Sequence, residues 1–292
     1  MRVGVVGPGI MGSPMARNLL RAGHGVLVVG RTPARVDALV AAGARAAASP
    51  ADLARQVEVV VTSLPDGPDV ETVVAGPAGL LEGAAAGLVV VDTSTIAPAT
   101  ARTLAERCAA RGVDFLDAPV SGGERGAVEG TLSIMVGGDV AALERARPAL
   151  AAIGRTVTHM GGSGQGQMTK LVNQVIGAVT LAAVAEGLTL AAHAGLDPDA
   201  VLAAVGSGAA TSWQLQHLGP RLQRGDFAPG FMVRLQQKDL RLALAAARDA
   251  GVALPTTALV HQLFAAVEAR GGGALGTQAL ASALEALAAP RS

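Results

Sequence analysis

The chain has 292 residues and a formal net charge of zero, with 23 basic and 23 acidic side chains. General nucleic-acid binders and proteins that bind anionic membranes carry a basic excess, so the charge balance argues against both kinds of partner. A single cysteine, Cys108, excludes a disulfide framework within the chain and a multi-cysteine metal site. The five histidines are scattered, with none at metal-ligand spacing from another, so no metal site is predicted.

Two segments bear on localisation. The N-terminus begins at once in the strand-like run Arg2–Val6 and lacks the layout of a signal peptide. The most apolar long stretch, Leu171–Ala194, is interrupted by two amides, a glutamate and a histidine, and much of its hydrophobicity comes from alanine and glycine. A buried helix is therefore favoured over a bilayer span, and we expect a cytoplasmic protein with no membrane partner.

Lysine and asparagine are unusually scarce. The only lysines are Lys170 and Lys238, and the only asparagines are Asn18 and Asn173. Lysine is normally among the commonest residues, so two interpretations of the remaining lysines are open. Either they were retained by chance, or their positions require an amine that can lose its proton, which arginine cannot do.

The first half of the chain alternates short β-branched runs with helical patterns rich in alanine and leucine. Strands are predicted at Val3–Val6, Gly25–Val29, Val57–Ser63, Leu88–Asp92, Val113–Asp117, Leu132–Val136 and Thr156–His159. Helices are predicted at Met11–Ala22, Pro33–Ala42, Pro98–Arg111 and Val140–Ile153, and Ser49 is predicted to cap a further helix that starts at Pro50. This alternation predicts a doubly wound, mostly parallel α/β sheet, a Rossmann domain over residues 1–161.

After Met160 the pattern changes to one with almost no strand signal. A glycine-rich segment, 161–166, precedes helices predicted at Gln167–Ala194, Pro198–Val205, Phe231–Ala250, Pro255–Arg270 and Thr277–Ala288. We therefore expect an all-helical domain over residues 162–292, joined to the first through the long helix. Alanine-rich helices pack closely, which suits a tight core or a subunit interface, and we expect a homodimer or homotetramer.

A glycine-rich turn follows the first strand and opens the first helix. Its residues are Gly7, Pro8, Gly9, Ile10, Met11 and Gly12. In this strand–turn–helix setting the motif predicts a dinucleotide site, with the helix N-terminus facing the pyrophosphate. A merely structural turn is the alternative.

The end of the second strand bears on which nicotinamide cofactor is used. An NAD enzyme would place an acid there to hold the ribose 2′-hydroxyl, whereas this chain has Arg31, Thr32 and Arg35, and no acid before Asp37. These side chains can bind the 2′-phosphate, so NADP(H) is predicted in preference to NAD(H). A solvated surface position for Arg31 is the alternative.

Other polar segments follow strand ends, where open α/β sheets bind their ligands. Leu64, Pro65 and Thr95 are expected beside the ribose and nicotinamide. Successive amides at Ser121, Gly122 and Gly123, with the Ser121 hydroxyl, can make a concave carboxylate site, although an ordinary turn would explain them too.

The long helix carries Lys170, Asn173 and Gln174 at spacings of three and four, so these side chains share one face. A later helix carries Lys238 next to Asp239. We expect the shared face of the long helix to contribute to the active cleft.

Four motifs, in this order, resemble the β-hydroxyacid dehydrogenase family, which includes 3-hydroxyisobutyrate dehydrogenase, tartronate semialdehyde reductase and glyoxylate/succinic semialdehyde reductases. They are the glycine-rich turn up to Ala16, the segment from Asp117 to Gly123 with the glycines that follow, the Lys170 segment, and Lys238-Asp-Leu240. The resemblance implies that Ser121, Gly122 and Gly123 bind substrate, that Lys170 is catalytic and that Lys238 borders the cofactor.

The resemblance implies an NADP(H)-dependent enzyme that interconverts a small β-hydroxy carboxylate and its semialdehyde, with Lys170 as general acid and base. The family usually has a second asparagine that orients the substrate, whereas this chain has Gln174, so the choice of substrate is left open. Two other functions are weighed: an imine reductase-like enzyme, whose relatives generally lack a lysine at this position, and a catalytically silent dinucleotide-binding module for assembly. A lost lysine or an added basic domain would favour the module, and neither is present.

Overall fold

The chain forms two compact units. A computed structural model describes residues 1–288, and contacts within them define one unit over Met1–Lys170 and a second from Leu171 onward. Residues 289–292 of the predicted second domain lie outside the described residues.

The first unit is built from nine strands and eight complete helices within the described residues. The strands are β1 Arg2–Val6, β2 Gly25–Val29, β3 Arg45–Ala46, β4 Val59–Thr62, β5 Val89–Asp92, β6 Asp114–Asp117, β7 Val120–Ser121, β8 Leu132–Gly137 and β9 Gly154–Gly161. The helices are α1 Gly12–Arg21, α2 Pro33–Val40, α3 Pro50–Ala54, α4 Gly67–Ala75, α5 Leu80–Gly83, α6 Pro98–Ala109, α7 Gly123–Glu129 and α8 Val140–Ile153.

The strands form one sheet in the order β3-β2-β1-β4-β5-β6-β8-β7, with β9 paired to β8. Strands β1 to β6 pair in parallel, and β8 runs antiparallel to β6 and β7. The order 3-2-1-4-5-6 is that of doubly wound dinucleotide-binding sheets. The predicted fold class is therefore confirmed.

Both faces of the sheet are buried, as the valine-rich strands require. Val59 and Val61 of β4 pack into one apolar cluster with Leu19 of α1, whereas Val60 packs into the other with Leu104 of α6. Neighbouring side chains of a strand point to opposite faces, so an uninterrupted valine run is stable only when helices cover both faces. The carboxyl ends of β1, β4, β5 and β6 then share one edge.

The second unit is all-helical within the described residues. Helix α9 Gln165–His193 begins in the first unit and continues into the second. The other elements are α10 Pro198–Gly206, α11 Trp213–Gln223, α12 Val233–Asp249, α13 Pro255–Ala269, two 3₁₀ turns at Gly272–Ala274 and Thr277–Leu280, and α14 Ala281–Glu285. Leu181, Leu240 and Phe264 pack in its core.

Helix α9 contains 29 residues and is long and apolar enough to cross a membrane by length and composition alone. At 1.5 Å per residue it extends about 44 Å. Part of the same helix carries the polar side chains of the candidate site.

Each of the seven predicted strands overlaps an observed one, and the Ser49 cap is confirmed because its Oγ accepts a 3.0 Å hydrogen bond from the Asp52 amide. The single helix predicted over Thr277–Ala288 is wrong: a 3₁₀ turn precedes α14, which ends at Glu285. Helix α11 was not predicted because Gly219 and Pro220 interrupt its pattern.

Candidate active site

The glycine-rich turn between β1 and α1 leaves room for a ligand at its middle glycine. Gly7 has φ +88°, and a Cβ there would lie 2.3 Å from the Ser63 carbonyl oxygen. A Cβ at Gly12 would lie 2.2 Å from the Gly7 oxygen, so neither position accepts another residue. A Cβ at Gly9, in contrast, would meet nothing closer than 3.7 Å. The open surface at Gly9 leaves room for the close backbone approach that a pyrophosphate makes at the second glycine of such motifs.

The N-terminus of α1 lies directly behind this turn. Its N-cap residue is Met11, whose side chain makes no capping hydrogen bond. The Ser13 amide donates to the Gly9 carbonyl oxygen at 3.0 Å and Pro14 has no amide proton, so this helix end favours an anion chiefly through its dipole. A cleft of about 360 Å³ adjoins the turn and is lined by residues that include Gly9, Ile10, Ser13, Arg17 and Arg35.

The three side chains predicted to bind the ribose 2′-phosphate of NADP(H) lie at the end of β2. Arg31 is exposed and forms a 3.6 Å ion pair with Asp69 of α4. Thr32 is the N-cap residue of α2, and its hydroxyl makes no capping hydrogen bond. The Arg35 guanidinium reaches back to 3.7 Å from the position that a Cβ on Gly9 would take. Gly30 is required here, because a Cβ would lie 2.5 Å from the Pro8 ring.

Asp92 organises the ends of β4 and β5. Its Oδ1 accepts hydrogen bonds from the Thr62 hydroxyl at 2.7 Å and from the Ser94 hydroxyl at 2.6 Å. The Ser94 oxygen in turn accepts from the Leu64 amide at 2.9 Å, so the two predicted cofactor loops are tied together. Burial raises the pKa of Asp92 to about 6, against the opposing effect of the Ser94 and Thr62 hydrogen bonds.

Asp117, at the end of β6, caps the start of α9. Its Oδ1 accepts from the Gly164 amide at 2.7 Å and its Oδ2 from the Gln167 amide at 2.8 Å. Burial raises the pKa of this carboxyl, and the amide hydrogen bonds oppose the shift. A Cβ at Gly166 would lie 2.4 Å from the Asp117 carbonyl oxygen, so glycine is required for this close approach. Lys170, which is buried, follows one turn after Gln167.

The predicted carboxylate site lies between β7 and α7. Ser121 ends β7 and is partly buried. Gly122 and Gly123 both have positive φ, at +134° and +62°, which the turn into α7 requires. A Cβ at Gly122 would also come within 3.1 Å of the Leu132 side chain. These constraints fix the backbone that presents the three successive amides.

In the second unit, α9 and α12 bring together four of the polar side chains considered from the sequence. Asn173 Nδ2 donates to Gln174 Oε1 at 2.8 Å, and Gln174 Nε2 donates to Asp239 Oδ2 at 2.7 Å. Lys238 Nζ lies 3.1 Å from Asp239 Oδ1. Gln174 and Asp239 are buried. The result is a polar chain that runs from Asn173 to Lys238.

Sequence reasoning missed three residues that order the strand ends and the start of α9 in the first unit: Thr62, Asp92 and Gln167. All three are fully buried polar side chains. The signal for Asp92 was an acid at the end of a buried strand, while the register that pairs Thr62 with Asp92 is visible only in the sheet.

Two family models match successive parts of the chain. Residues 2–162 match the NAD binding domain of 6-phosphogluconate dehydrogenase. Residues 164–284 match the NAD-binding domain of NADP-dependent 3-hydroxyisobutyrate dehydrogenase. Together the two matches cover nearly the whole chain.

Individual relatives match over similar lengths. The chain is 43% identical over 288 residues to 2-hydroxy-3-oxopropionate reductase of Escherichia coli, covering 99% of this chain and 98% of that protein. It is 42% identical over 269 residues to 3-hydroxyisobutyrate dehydrogenase of Pseudomonas aeruginosa, covering 90% of each. The solved structure of "Psf3 in complex with NADP+ and 2-OPP" has a TM-score of 0.88 and 30% identity, covering 97% of this chain and 99% of that one.

Proposed function

Because this chain belongs to the β-hydroxyacid dehydrogenase family, we propose that it uses NADP(H) to interconvert a small β-hydroxy carboxylate and its semialdehyde. The chain is an oxidoreductase of that family with a nicotinamide dinucleotide cofactor.

The preference for NADP(H) rests on the charges at the end of β2. Arg31, Thr32 and Arg35 offer two cations and a hydroxyl to a 2′-phosphate, and the position where an NAD enzyme has its acid holds none. The Arg31–Asp69 pair is largely exposed and hence weak, so a dianionic phosphate can displace the Asp69 carboxylate. A structural relative solved with NADP+ is consistent with this choice.

The cofactor cradle fits this assignment. The Gly9 surface, the uncapped start of α1 and the cleft lined by Arg35 together provide space and positive potential for a dinucleotide. Gly7, Pro8, Ile10, Met11 and Gly12 shape the cradle, and Leu64, Pro65 and Thr95 follow at adjacent strand ends. Lys238 is assigned to cofactor binding by family resemblance. When bound, the nicotinamide supplies a hydride in reduction and accepts one in oxidation.

Lys170 is the proposed proton-transferring residue. As an ammonium it donates a proton to the alkoxide oxygen that develops when the aldehyde is reduced; as a neutral amine it accepts the hydroxyl proton in oxidation. The observation that carries the proposal is its position: a buried lysine one turn inside α9, whose start Asp117 caps at the same sheet edge as the glycine-rich turn.

Ser121, Gly122 and Gly123 are proposed to hold the substrate carboxylate through two successive glycine amides and the Ser121 hydroxyl and amide. Asn173 is proposed to bind the substrate, with Gln174 beside it. When the carboxylate is fixed, the reacting carbon is held in one orientation toward the nicotinamide. Binding energy is thereby used to position the reacting groups. One relative is named 2-hydroxy-3-oxopropionate reductase. Because 2-hydroxy-3-oxopropionate is tartronate semialdehyde, this compound is the first substrate to test.

The test is a panel of four aldehydes with each reduced cofactor. Loss of cofactor absorbance is followed with tartronate semialdehyde, succinic semialdehyde, methylmalonate semialdehyde and glyoxylate, using NADPH and NADH. We expect turnover of at least one of the four, faster with NADPH. Absence of turnover with all four, despite tight NADPH binding, would count against these substrates and favour either a silent dinucleotide-binding module or a substrate outside the panel.

We also propose a homodimer or homotetramer located in the cytoplasm. Val172, Ile176 and Leu190 are exposed on α9, and eighteen residues, or five turns, separate the first from the last, so they lie on one face. Such an apolar face suits burial against another copy. Light scattering after size exclusion should give two or four chain masses, and Ile176→Glu should shift the protein toward the monomer.

A further inference from the structure

Gln167 is fully buried in the first turn of α9, and its side-chain amide makes two hydrogen bonds to one backbone segment. Its Oε1 accepts from the Ile96 amide at 3.0 Å. Its Nε2 donates to the Ser94 carbonyl oxygen at 2.8 Å. The two bonds enclose Thr95, which lies between those residues. A primary amide is the side chain that offers a donor and an acceptor in this arrangement.

The segment 94–96 is itself anchored to the sheet. The Ser94 hydroxyl donates to Asp92 at 2.6 Å and accepts from the Leu64 amide at 2.9 Å. Gln167 is anchored as well, since its backbone amide donates to Asp117. The Gln167 side chain therefore links two anchored parts of the first unit, the segment 94–96 and the start of α9.

Lys170 follows Gln167 by three residues on the same helix, so the two side chains lie on one side of α9. Any shift or rotation of the first turn of α9 moves Lys170 with it. Since a misplacement of about 1 Å can cost on the order of a hundredfold in rate, a rigid link at this point has a direct kinetic consequence.

We propose that Gln167 is a positioning residue, which holds the backbone on both sides of Thr95 at a fixed distance from the helical turn that carries Lys170. The catalytic part of this inference rests on the proposed function. Gln167 is not proposed to contact the substrate. Gln167 affects the geometry in which Lys170 meets the reacting oxygen, and hence kcat more than binding.

Three variants separate this role from a general loss of stability. Gln167→Met keeps the side-chain length and removes both hydrogen bonds, and Gln167→Glu keeps an acceptor for Ile96 but loses the donor to Ser94. Gln165→Met is the matched control, because Gln165 lies on the same turn and is exposed. Each variant is assayed as the full chain for kcat, KM, the dissociation constant of NADPH, and the kinetic isotope effect with deuterated NADPH.

For Gln167→Met we expect kcat to fall by about 10- to 100-fold, with KM and NADPH binding changed less than about threefold, and a larger isotope effect. Gln167→Glu should lose at least as much, because an ionised carboxylate oxygen would face the Ser94 carbonyl oxygen in a buried site, while Gln165→Met should match the wild type. Unchanged kcat in folded Gln167→Met, or equal losses in both methionine variants, would overturn the proposal.

A second measurement does not depend on activity. Hydrogen exchange of the segment 94–96 should be faster in Gln167→Met than in Gln165→Met, because the Ile96 amide loses its acceptor. Equal exchange would overturn the inference even if the enzyme is active. Failure of the wild type to reduce any aldehyde would instead count against the proposed function, and the exchange result would still decide whether Gln167 makes the link.

Discussion

The side-chain amide of Gln174 donates a 2.7 Å hydrogen bond to Oδ2 of Asp239, which lies 65 residues later in the chain. The oxygen of the same amide accepts from Asn173 at 2.8 Å. The oxygen and the nitrogen of the buried Gln174 amide are thus both hydrogen-bonded within the second unit. Gln174 therefore helps to orient the Asn173 amide, and under the proposed function its effect on substrate binding passes through Asn173.

Replacing Gln174 by methionine should destabilise the protein and weaken substrate binding. The Asp239 carboxylate loses a donor while remaining buried, which lowers the free energy of unfolding by about 1–3 kcal/mol. The Asn173 amide loses its Gln174 acceptor, so its orientation should change and KM should rise. Urea unfolding and steady-state kinetics measure the two effects. The control is Gln216→Met, which removes an exposed amide bonded to Thr211. Similar losses in both variants would contradict this role of Gln174.

Removing the cations at the end of β2 should alter cofactor choice. Arg31→Ala and Arg35→Ala should each raise the dissociation constant of NADPH about 10- to 100-fold, because one charge-assisted hydrogen bond contributes about 1.5–3 kcal/mol. Neither substitution should change the dissociation constant of NADH appreciably. Fluorescence titration of both cofactors tests this. Arg155→Ala, in the exposed part of β9, controls for the loss of one positive charge. Parallel weakening of NADH and NADPH would show that these arginines do not read the 2′-phosphate.

The proposed role of Lys170 predicts a variant that binds cofactor but turns over slowly. Lys170→Ala should lower kcat by about 10²–10⁴-fold, the range for loss of a general acid or base, with NADPH binding retained. Thr169→Ala, one residue earlier on α9, serves as the control. Near-normal turnover in Lys170→Ala would remove the basis for the catalytic assignment.

Motifs close in sequence could be predicted because their geometry is local. The turn from Gly7 to Gly12 follows a strand and starts a helix, and one pattern of glycines specifies it. The same holds for the Ser49 cap, where the partner Asp52 is three residues away. The family resemblance, carried by four such motifs, is confirmed by matches over nearly the whole chain.

Pairings that depend on sheet register or on tertiary contact could not be predicted. Asp92 meets Thr62 because β4 and β5 pair with these two residues in register. Gln167 reaches Ile96, 71 residues earlier, only once β5 and α9 have been placed by the sheet. Neither contact leaves a periodic or local signature, and the glutamine-rich start of α9 offers Gln165 as an equally plausible candidate by sequence.

Asp92 predicts a specific dependence of stability on pH. Its pKa is raised from 3.8 to about 6 in the folded protein, chiefly by burial, so the folded state binds more protons than the unfolded state between these values. Stability from this group is therefore greatest below about pH 4 and is lost as pH rises through about 6. A shift of this size corresponds to about 3 kcal/mol.

The neutral variant Asp92→Asn tests the effect, because carboxyl groups remote from Asp92 titrate alike in both proteins; Asp117, whose charge raises the pKa of Asp92, is the neighbour that the substitution also affects. The free energy of unfolding of Asp92→Asn, minus that of the wild type, should rise by about 2 kcal/mol between pH 4.5 and pH 7.5, because about 1 kcal/mol is already lost by pH 4.5. Urea unfolding at a series of pH values measures this difference. Asp37→Asn, which removes an exposed carboxylate from α2, controls for the change in net charge. A difference that stays constant or falls with pH would mean that Asp92 is charged in the folded protein throughout this range, and that its hydrogen bonds to Thr62 and Ser94 outweigh the cost of burial.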